Sequence, residues 1–139
     1  MSDQSTPCPC GSGASYAECC GRYHAGMSAP TAAALMRSRY SAYVLGNLDY
    51  LRATWHPDTC PADLDADPAL RWIGLDIRAC ERGTEGDSDG TVEFVARYKV
   101  NGRAGRLHEV SRFVQEQGRW RYVDGDIAPE PEPRRKGKR

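Results

Sequence analysis

The chain has 139 residues, which leaves room for one modest hydrophobic core with one small accessory unit and excludes a multidomain enzyme. Hydrophobic residues make up 40% and charged residues 27%, a balance that excludes wholesale disorder and a collagen-like or coiled-coil design. The formal net charge is zero, no stretch approaches the roughly 20 apolar residues of a membrane span, and the N-terminus lacks an apolar signal region, so we expect a cytoplasmic protein.

Four of the six cysteines fall within thirteen residues near the N-terminus, with the spacing C-x-C-x8-C-C. Disulfides do not persist in a reducing compartment, and neighbouring cysteines are badly placed to pair, so the cluster favours metal binding over two disulfides. Zinc is the expected ion because four thiolates bind it tetrahedrally in closed structural sites. The first three expected ligands are Cys8, Cys10 and Cys19.

The fourth ligand is either Cys20 or His24. His24 follows Cys20 by four residues, which is one turn if a helix begins there. We favour Cys20, because an idle cysteine beside a ligand would be an exposed and reactive thiol. The two remaining cysteines, Cys60 and Cys80, are far from the cluster and are expected to be small buried hydrophobic residues.

The segment CPCGSGASYAECCGR, from Cys8 to Arg22, resembles the SEC-C motif, a zinc hairpin at the C-terminus of the SecA translocation ATPase and in many bacterial proteins. The resemblance implies zinc ligands at Cys8, Cys10, Cys19 and Cys20. SecA uses its motif, with lysines between the ligand pairs, to dock an acidic chaperone and to contact ribosomes. The corresponding residues here carry no positive charge: Ala14, Ser15, Ala17 and Glu18. The resemblance implies a protein partner linked to secretion or the ribosome, and the missing positive charge argues against the same acidic chaperone.

Two helices are predicted after the cysteine cluster. The first begins at Ala29 or Pro30 and ends at Gly46, which can adopt the left-handed conformation of a helix stop. Its apolar residues recur at three- and four-residue spacing: Leu35, Met36, Tyr40, Tyr43 and Val44. Asn47 can cap a second helix, which Pro57 ends, and we expect the two helices to pair as a hairpin.

Four strands are predicted in the second half of the chain, over residues 71–81, 91–101, 106–116 and 119–124. Short turns separate them, so they form an antiparallel meander. Helices followed by a run of strands are typical of the α+β class. We therefore expect a curved antiparallel sheet packed on helices and preceded by the small zinc hairpin.

Alternation along the third strand places Glu109 on the same face as Leu107 and Phe113. An ionised carboxylate in that position needs a partner, and we expect it to be Arg39 at the edge of the helix stripe. A structural ion pair is favoured over a catalytic one. His108 falls on the opposite strand face, which argues against a catalytic His–Glu pair.

Eight residues are candidates for a ligand-binding or catalytic pocket, because they include the groups that form acid–base pairs and aromatic-walled pockets. They are Arg39, Tyr40, Trp55, His56, Trp72, His108, Glu109 and Arg112.

The order of these elements and five stretches of sequence resemble the YchJ-like family: LMRSRY at 35–40, YLRATWHP at 50–57, VEFVAR at 92–97, HEVSRF at 108–113 and WRYVDG at 120–125. Those proteins join an N-terminal SEC-C hairpin to an NTF2-like, or cystatin-like, domain, a cone of curved sheet around helices. We therefore assign residues 1–26 to the hairpin and 27–127 to the NTF2-like domain.

Residues 128–139 alternate proline and glutamate and then carry five basic residues against two acidic ones, a local charge of +3. This composition predicts a disordered basic tail. It serves either as an electrostatic arm for RNA or the ribosome or as a solubilising end without a partner.

Three functions compete. The favoured one is a non-enzymatic adaptor that docks a protein partner through its hairpin, because a four-thiolate zinc site has no open coordination position for a substrate. The alternative is an NTF2-like domain that binds a small ligand or catalyses a reaction, with the zinc hairpin as a structural unit. Redox sensing through oxidation of the thiolates ranks last.

Overall fold

The computed structural model describes residues 6–62 and 69–127, and the predicted tail over 128–139 lies outside the described residues. A 3₁₀ turn at Tyr16–Glu18 precedes three helices and four strands. The helices are α1 (Cys20–His24), α2 (Ala32–Leu45) and α3 (Leu48–Ala53). The strands are β1 (Leu70–Arg82), β2 (Asp89–Val100), β3 (Arg103–Glu116) and β4 (Arg119–Ile127).

Capping residues fix both ends of α2. The Thr31 hydroxyl accepts a hydrogen bond from the Ala34 amide at 3.0 Å, so the helix begins slightly later than predicted. Gly46 adopts a φ of 74° and ends the helix as predicted. Between these caps α2 presents a buried side that includes Leu35 and Tyr40 to the sheet.

Helix α3 begins where the sequence predicts it but ends early. The Asn47 side chain accepts from the Tyr50 amide at 3.1 Å, as a helix cap does. The predicted stop at Pro57 is wrong, since the helix ends at Ala53 with Thr54 as its C-cap. The Thr54 hydroxyl donates to the Tyr50 carbonyl, and the chain then runs beside β4.

The four strands form one antiparallel sheet in the order β1-β2-β3-β4, so the predicted meander is confirmed. Register shifts interrupt the β1–β2 and β3–β4 ladders. Such irregularities bend strands and increase the local twist. The α+β class and the curved sheet packed on helices are confirmed.

The core lies between α2 and the concave face of the sheet. Val92, Phe94 and Ala96 of β2 are buried there, as their alternation predicts. The N-terminal hairpin belongs to the same cluster through four buried residues: Cys8, Cys10, Cys20 and Tyr23. The hairpin is therefore packed against the domain and shares its core.

The prediction that Cys60 and Cys80 are buried is wrong. Cys60 is half-buried and Cys80 is exposed. Cys80 lies near the end of edge strand β1, where residues 78–82 are all exposed. Among the described residues, we find no helix with the length and hydropathy that a membrane crossing requires.

Candidate functional site

A tight turn brings the two arms of the N-terminal hairpin together. The Cys8 amide donates to the Ala14 carbonyl at 3.0 Å, and the Gly11 amide donates to the Cys8 carbonyl at 3.1 Å. Gly11 and Gly13 adopt φ angles of 80° and 93°, which L side chains rarely tolerate. This turn returns the chain so that the second cysteine pair faces the first.

The four sulfur atoms of Cys8, Cys10, Cys19 and Cys20 lie within 4.8 Å of one another. The Sγ–Sγ distance is 3.6 Å between Cys10 and Cys19 and 4.0 Å between Cys19 and Cys20. Tetrahedral zinc with bonds of about 2.3 Å separates its sulfur ligands by about 3.8 Å. The donor set and its spacing fit such an ion, so the cluster could hold a metal.

Burial opposes the ionisation of these cysteines, and a bound cation would offset that cost. Cys8, Cys10 and Cys20 are buried and Cys19 is half-buried. A hydrogen bond from Cys20 lowers the pKa of Cys10 to about 4, while the same hydrogen bond and burial raise the pKa of Cys20. Burial also raises the pKa of Cys19. Several adjacent thiolates repel one another, and a divalent cation removes that cost.

Two serine hydroxyls contact the sulfurs. Ser12 Oγ lies 3.1 Å from Cys19 Sγ, and Ser41 Oγ lies 3.6 Å from Cys8 Sγ. Hydroxyls at this distance can donate to a thiolate and orient it. Ser12 sits within the motif, but Ser41 comes from α2, and no sequence spacing signals its contribution.

His24, the alternative fourth ligand, does not belong to the sulfur cluster. Its Nε2 lies 2.8 Å from the Ser38 carbonyl, and its Nδ1 lies 2.6 Å from the Tyr16 hydroxyl. A carbonyl only accepts, so Nε2 carries the proton and Nδ1 of the neutral ring accepts from Tyr16. Both nitrogens are occupied, and His24 fastens the hairpin to α2, as does the Arg37 guanidinium bonded to the Cys10 carbonyl.

A second candidate site is a cavity of about 180 Å³ between α2 and the concave face of the sheet. Four of the eight predicted pocket residues line it: Arg39, Tyr40, Trp72 and Glu109. The other lining residues are Met36, Tyr43, Phe94, Ala96, Leu107, Ser111 and Tyr122. The walls are mainly aromatic and aliphatic, with one cation and one carboxylate among them.

The predicted ion pair between Arg39 and Glu109 is wrong. Arg39 Nη1 donates instead to the Leu51 carbonyl at 2.9 Å and to the Thr54 hydroxyl at 2.7 Å, because α3 passes directly beside it. Glu109 Oε2 accepts from neighbours within the sheet: the Ser111 hydroxyl at 2.8 Å and the Tyr122 hydroxyl at 3.2 Å. Both charged groups line the cavity without pairing.

Aromatic rings enclose the Arg39 guanidinium. Its Cζ lies 4.8 Å from the ring centroid of Trp55 and 4.5 Å from that of Tyr122. Trp55 therefore supports Arg39 from outside the cavity lining. Burial lowers the pKa of Arg39, but a guanidinium retains its charge at neutral pH. His56, also predicted for the pocket, lies elsewhere, with Nε2 3.5 Å from Glu116.

The last two predicted pocket residues lie on the opposite sheet face. His108 Nε2 is 2.7 Å from Glu93 Oε2 on the neighbouring strand. Arg112 is exposed and bonds Asp124 at 2.6 Å and Asp126 at 2.7 Å, and these bonds raise the pKa of its guanidinium. His108 and Glu109 therefore lie on opposite faces of the sheet, as the strand alternation predicts.

The sequence did not identify three polar residues as part of the cavity: Tyr43, Ser111 and Tyr122. Tyr43 follows Arg39 by four residues, and Ser111 follows Glu109 by two. The periods of a helix and a strand therefore place each of them on the same face as the predicted pocket residue. Tyr122 has no such signal because the β3–β4 register shift sets its pairing with Phe113.

Two family models match the chain. The model described as YchJ, middle NTF2-like domain, matches residues 31–125, and the SEC-C motif model matches residues 5–22.

Curated relatives match along most of their length. A UPF0225 protein from Cupriavidus pinatubonensis is 59% identical over 132 residues, which cover 90% of this chain and 91% of the relative. A UPF0225 protein from Streptomyces coelicolor is 54% identical over 122 residues, covering 87% and 95%.

Two solved structures share the fold. The solution structure of a SEC-C motif containing protein from Rhodopseudomonas palustris has a TM-score of 0.77 at 35% identity, covering 88% of this chain and 98% of that one. The crystal structure of a SEC-C motif containing protein from Psychrobacter arcticus has a TM-score of 0.72 at 26% identity, covering 94% and 88%.

Proposed function

We propose that this chain, which belongs to the YchJ-like family with its SEC-C motif and NTF2-like domain, is a zinc-binding, non-enzymatic adaptor. The observation that carries the proposal is the cluster of four sulfur atoms within 4.8 Å of one another. Zinc bound by four thiolates has no open coordination position, so it stabilises the hairpin and supplies no catalytic step. Zinc is favoured because it accepts four soft ligands in tetrahedral geometry.

The outer side of the hairpin is the proposed docking surface. Its inner side packs on α2, whereas Ala17 and Glu18 on the 3₁₀ turn are exposed. These two positions correspond to lysines of the SecA motif, so the surface here suits a partner other than an acidic one. We place the partner in the secretion or ribosomal machinery by analogy with that motif. The basic tail over 128–139 would add an RNA or ribosome contact.

Charge reversal on the docking surface tests the proposal. Deleting the hairpin would uncover the core, so the test uses Glu18→Arg together with Ala17→Arg, and Glu85→Arg in the β1–β2 loop as a matched control. We expect wild-type chain and the control to capture the same partner from bacterial lysate and to co-sediment equally with ribosomes. The hairpin variant should lose that partner with its zinc content unchanged. Identical partners for all three proteins would refute the adaptor role.

One observation favours the alternative, a small-ligand site in the NTF2-like domain. The cavity of about 180 Å³ contains Arg39 and Glu109 without an ion pair between them. This site lies on the sheet side of α2 and needs no contribution from the metal cluster. It is compatible with the adaptor role.

A further inference from the structure

The cavity between α2 and the sheet has the size of a single-ring molecule. Its volume is about 180 Å³, and an apolar cavity of about 150 Å³ is known to accommodate benzene. One six-membered ring with two small substituents therefore fills it. Tyr43 lines the cavity and is 37% exposed, so the space reaches solvent beside this residue.

Aromatic side chains form one wall of the cavity. Trp72 packs edge-on or tilted against Tyr40 and Tyr43, with ring centroids 6.1 Å apart in each pair. These contacts hold the indole in place. A flat ring placed against such a wall gains both apolar burial and aromatic contact.

Arg39 supplies a buried positive charge at one end. The residue is 3% exposed, and in the described part of the chain it forms no ion pair with a carboxylate. Nη1 donates to the Leu51 carbonyl and the Thr54 hydroxyl, and a further hydrogen bond joins the guanidinium to the Tyr43 side chain at the cavity wall. A buried guanidinium without a carboxylate partner favours an anion, and its planar fork matches a carboxylate.

Glu109 supplies an acceptor on the sheet side of the cavity. Its Oε2 is held by Ser111 and Tyr122, while Oε1 accepts no hydrogen bond from the described residues. The carboxylate fits here because Gly125 has no side chain, and a Cβ at that position would collide with Glu109. A carboxylate repels a second anion and accepts from a hydroxyl or amine. The ligand that suits both ends is therefore anionic at one end and a hydrogen-bond donor at the other.

We propose that this cavity binds a single-ring aromatic carboxylate that carries a hydroxyl or amino group, with its carboxylate on Arg39 and its donor on Glu109. The inference deepens the small-ligand function and does not depend on zinc. Tyr40, Tyr43 and Trp72 hold the ring.

Titration calorimetry of the full chain with 4-hydroxybenzoate, benzoate and phenol tests the proposal. We expect saturable binding of 4-hydroxybenzoate, weaker binding of benzoate, and still weaker binding of phenol. Arg39→Lys should weaken 4-hydroxybenzoate at least about tenfold, because the guanidinium fork is lost. The matched control is Arg97→Lys, an exposed residue paired with Asp76 on the opposite sheet face, which should leave the affinity unchanged.

Glu109→Gln keeps the shape of the side chain and provides a second readout if Arg39→Lys fails to fold. It should reduce the preference for 4-hydroxybenzoate over benzoate by about fivefold or more, since the acceptor loses its charge. The proposal is overturned if folded wild-type chain shows no saturable binding, if Arg39→Lys binds as well as wild type, or if the preference survives in Glu109→Gln. None of these outcomes bears on zinc content or partner capture, which test the adaptor role separately.

Discussion

His24 lies in the hairpin beside the sulfur cluster, yet its ring joins two parts of the fold. Nδ1 accepts from the Tyr16 hydroxyl, and Nε2 donates to the Ser38 carbonyl of α2. The ring also lies 4.5 Å from the centroid of Tyr50 in α3. Three segments of the chain therefore meet at one imidazole.

Replacing His24 with alanine should lower the free energy of unfolding by about 1–3 kcal/mol, because two part-buried hydrogen bonds are lost and their partners are left unpaired. Urea denaturation measures the change. The control is His56→Ala, which removes a half-buried ring whose contacts are the amide of exposed Asp58 and the carboxylate of exposed Glu116, and it should cost less because both partners reach water. We expect both variants to retain their zinc, and a loss of metal from His24→Ala alone would make His24 a ligand.

Residue roles were predictable where spacing alone determines them. The C-x-C-x8-C-C pattern brings four sulfurs together because a short glycine turn leaves the arms few other arrangements. The partner of Arg39 was not predictable, since its acceptors Leu51 and Thr54 depend on where α3 crosses α2. Cavity residues that are far apart in sequence could not be predicted for the same reason, because their proximity depends on how the elements pack.

Strands β1 and β2 approach each other closely where their hairpin opens into its loop. Gly90 pairs with Arg82 across the ladder, and a Cβ added to Gly90 would collide with the backbone of the next residue, Gly83. Gly83 itself adopts a φ of 78°. Its carbonyl accepts from the Ala32 amide at the start of α2. This end of the sheet therefore helps to position the helix that carries Arg39.

Gly90→Ala should destabilise the protein by about 1–3 kcal/mol, because the added methyl group forces two backbones apart. Gly86→Ala in the same loop meets open space and is the matched control. Thermal denaturation followed by circular dichroism compares the two variants. Equal melting temperatures would show that the close approach of the two backbones does not affect the stability of the protein.

The elements themselves were largely predictable, while their ends were less so. The helix caps at Asn47 and Gly46 and the turns between strands are local signals, and each lies where the sequence places it. The early end of α3 results from tertiary contacts, since the Tyr122 amide bonds the Thr54 carbonyl and draws the chain toward β4. Local patterns do not contain that information.

At the scale of the whole molecule, the hairpin and the larger domain share one core. Cys8, Cys10 and Cys20 belong to the same buried cluster as Leu35 and Phe94. The cysteine sulfurs therefore stabilise two structures at once, the hairpin turn and its packing on α2. The sequence boundary near residue 26 gave no indication of this packing.

Removing the metal should consequently lower the melting temperature of the whole chain in a single transition. Each kcal/mol of lost stability shifts the midpoint by about 4 °C for a protein of this size. Differential scanning calorimetry with and without a chelator measures the shift. A separate low-temperature transition, with the main midpoint unchanged, would mean that the hairpin unfolds independently.

The most direct test of the central claim is the zinc content of chain purified under reducing conditions, measured by elemental mass spectrometry. We expect close to one zinc per wild-type chain, about the same in Cys80→Ser, which alters an exposed cysteine outside the cluster, and far less in Cys19→Ser. Wild-type chain with little zinc, or a Cys19→Ser variant with full occupancy, would contradict a four-thiolate site.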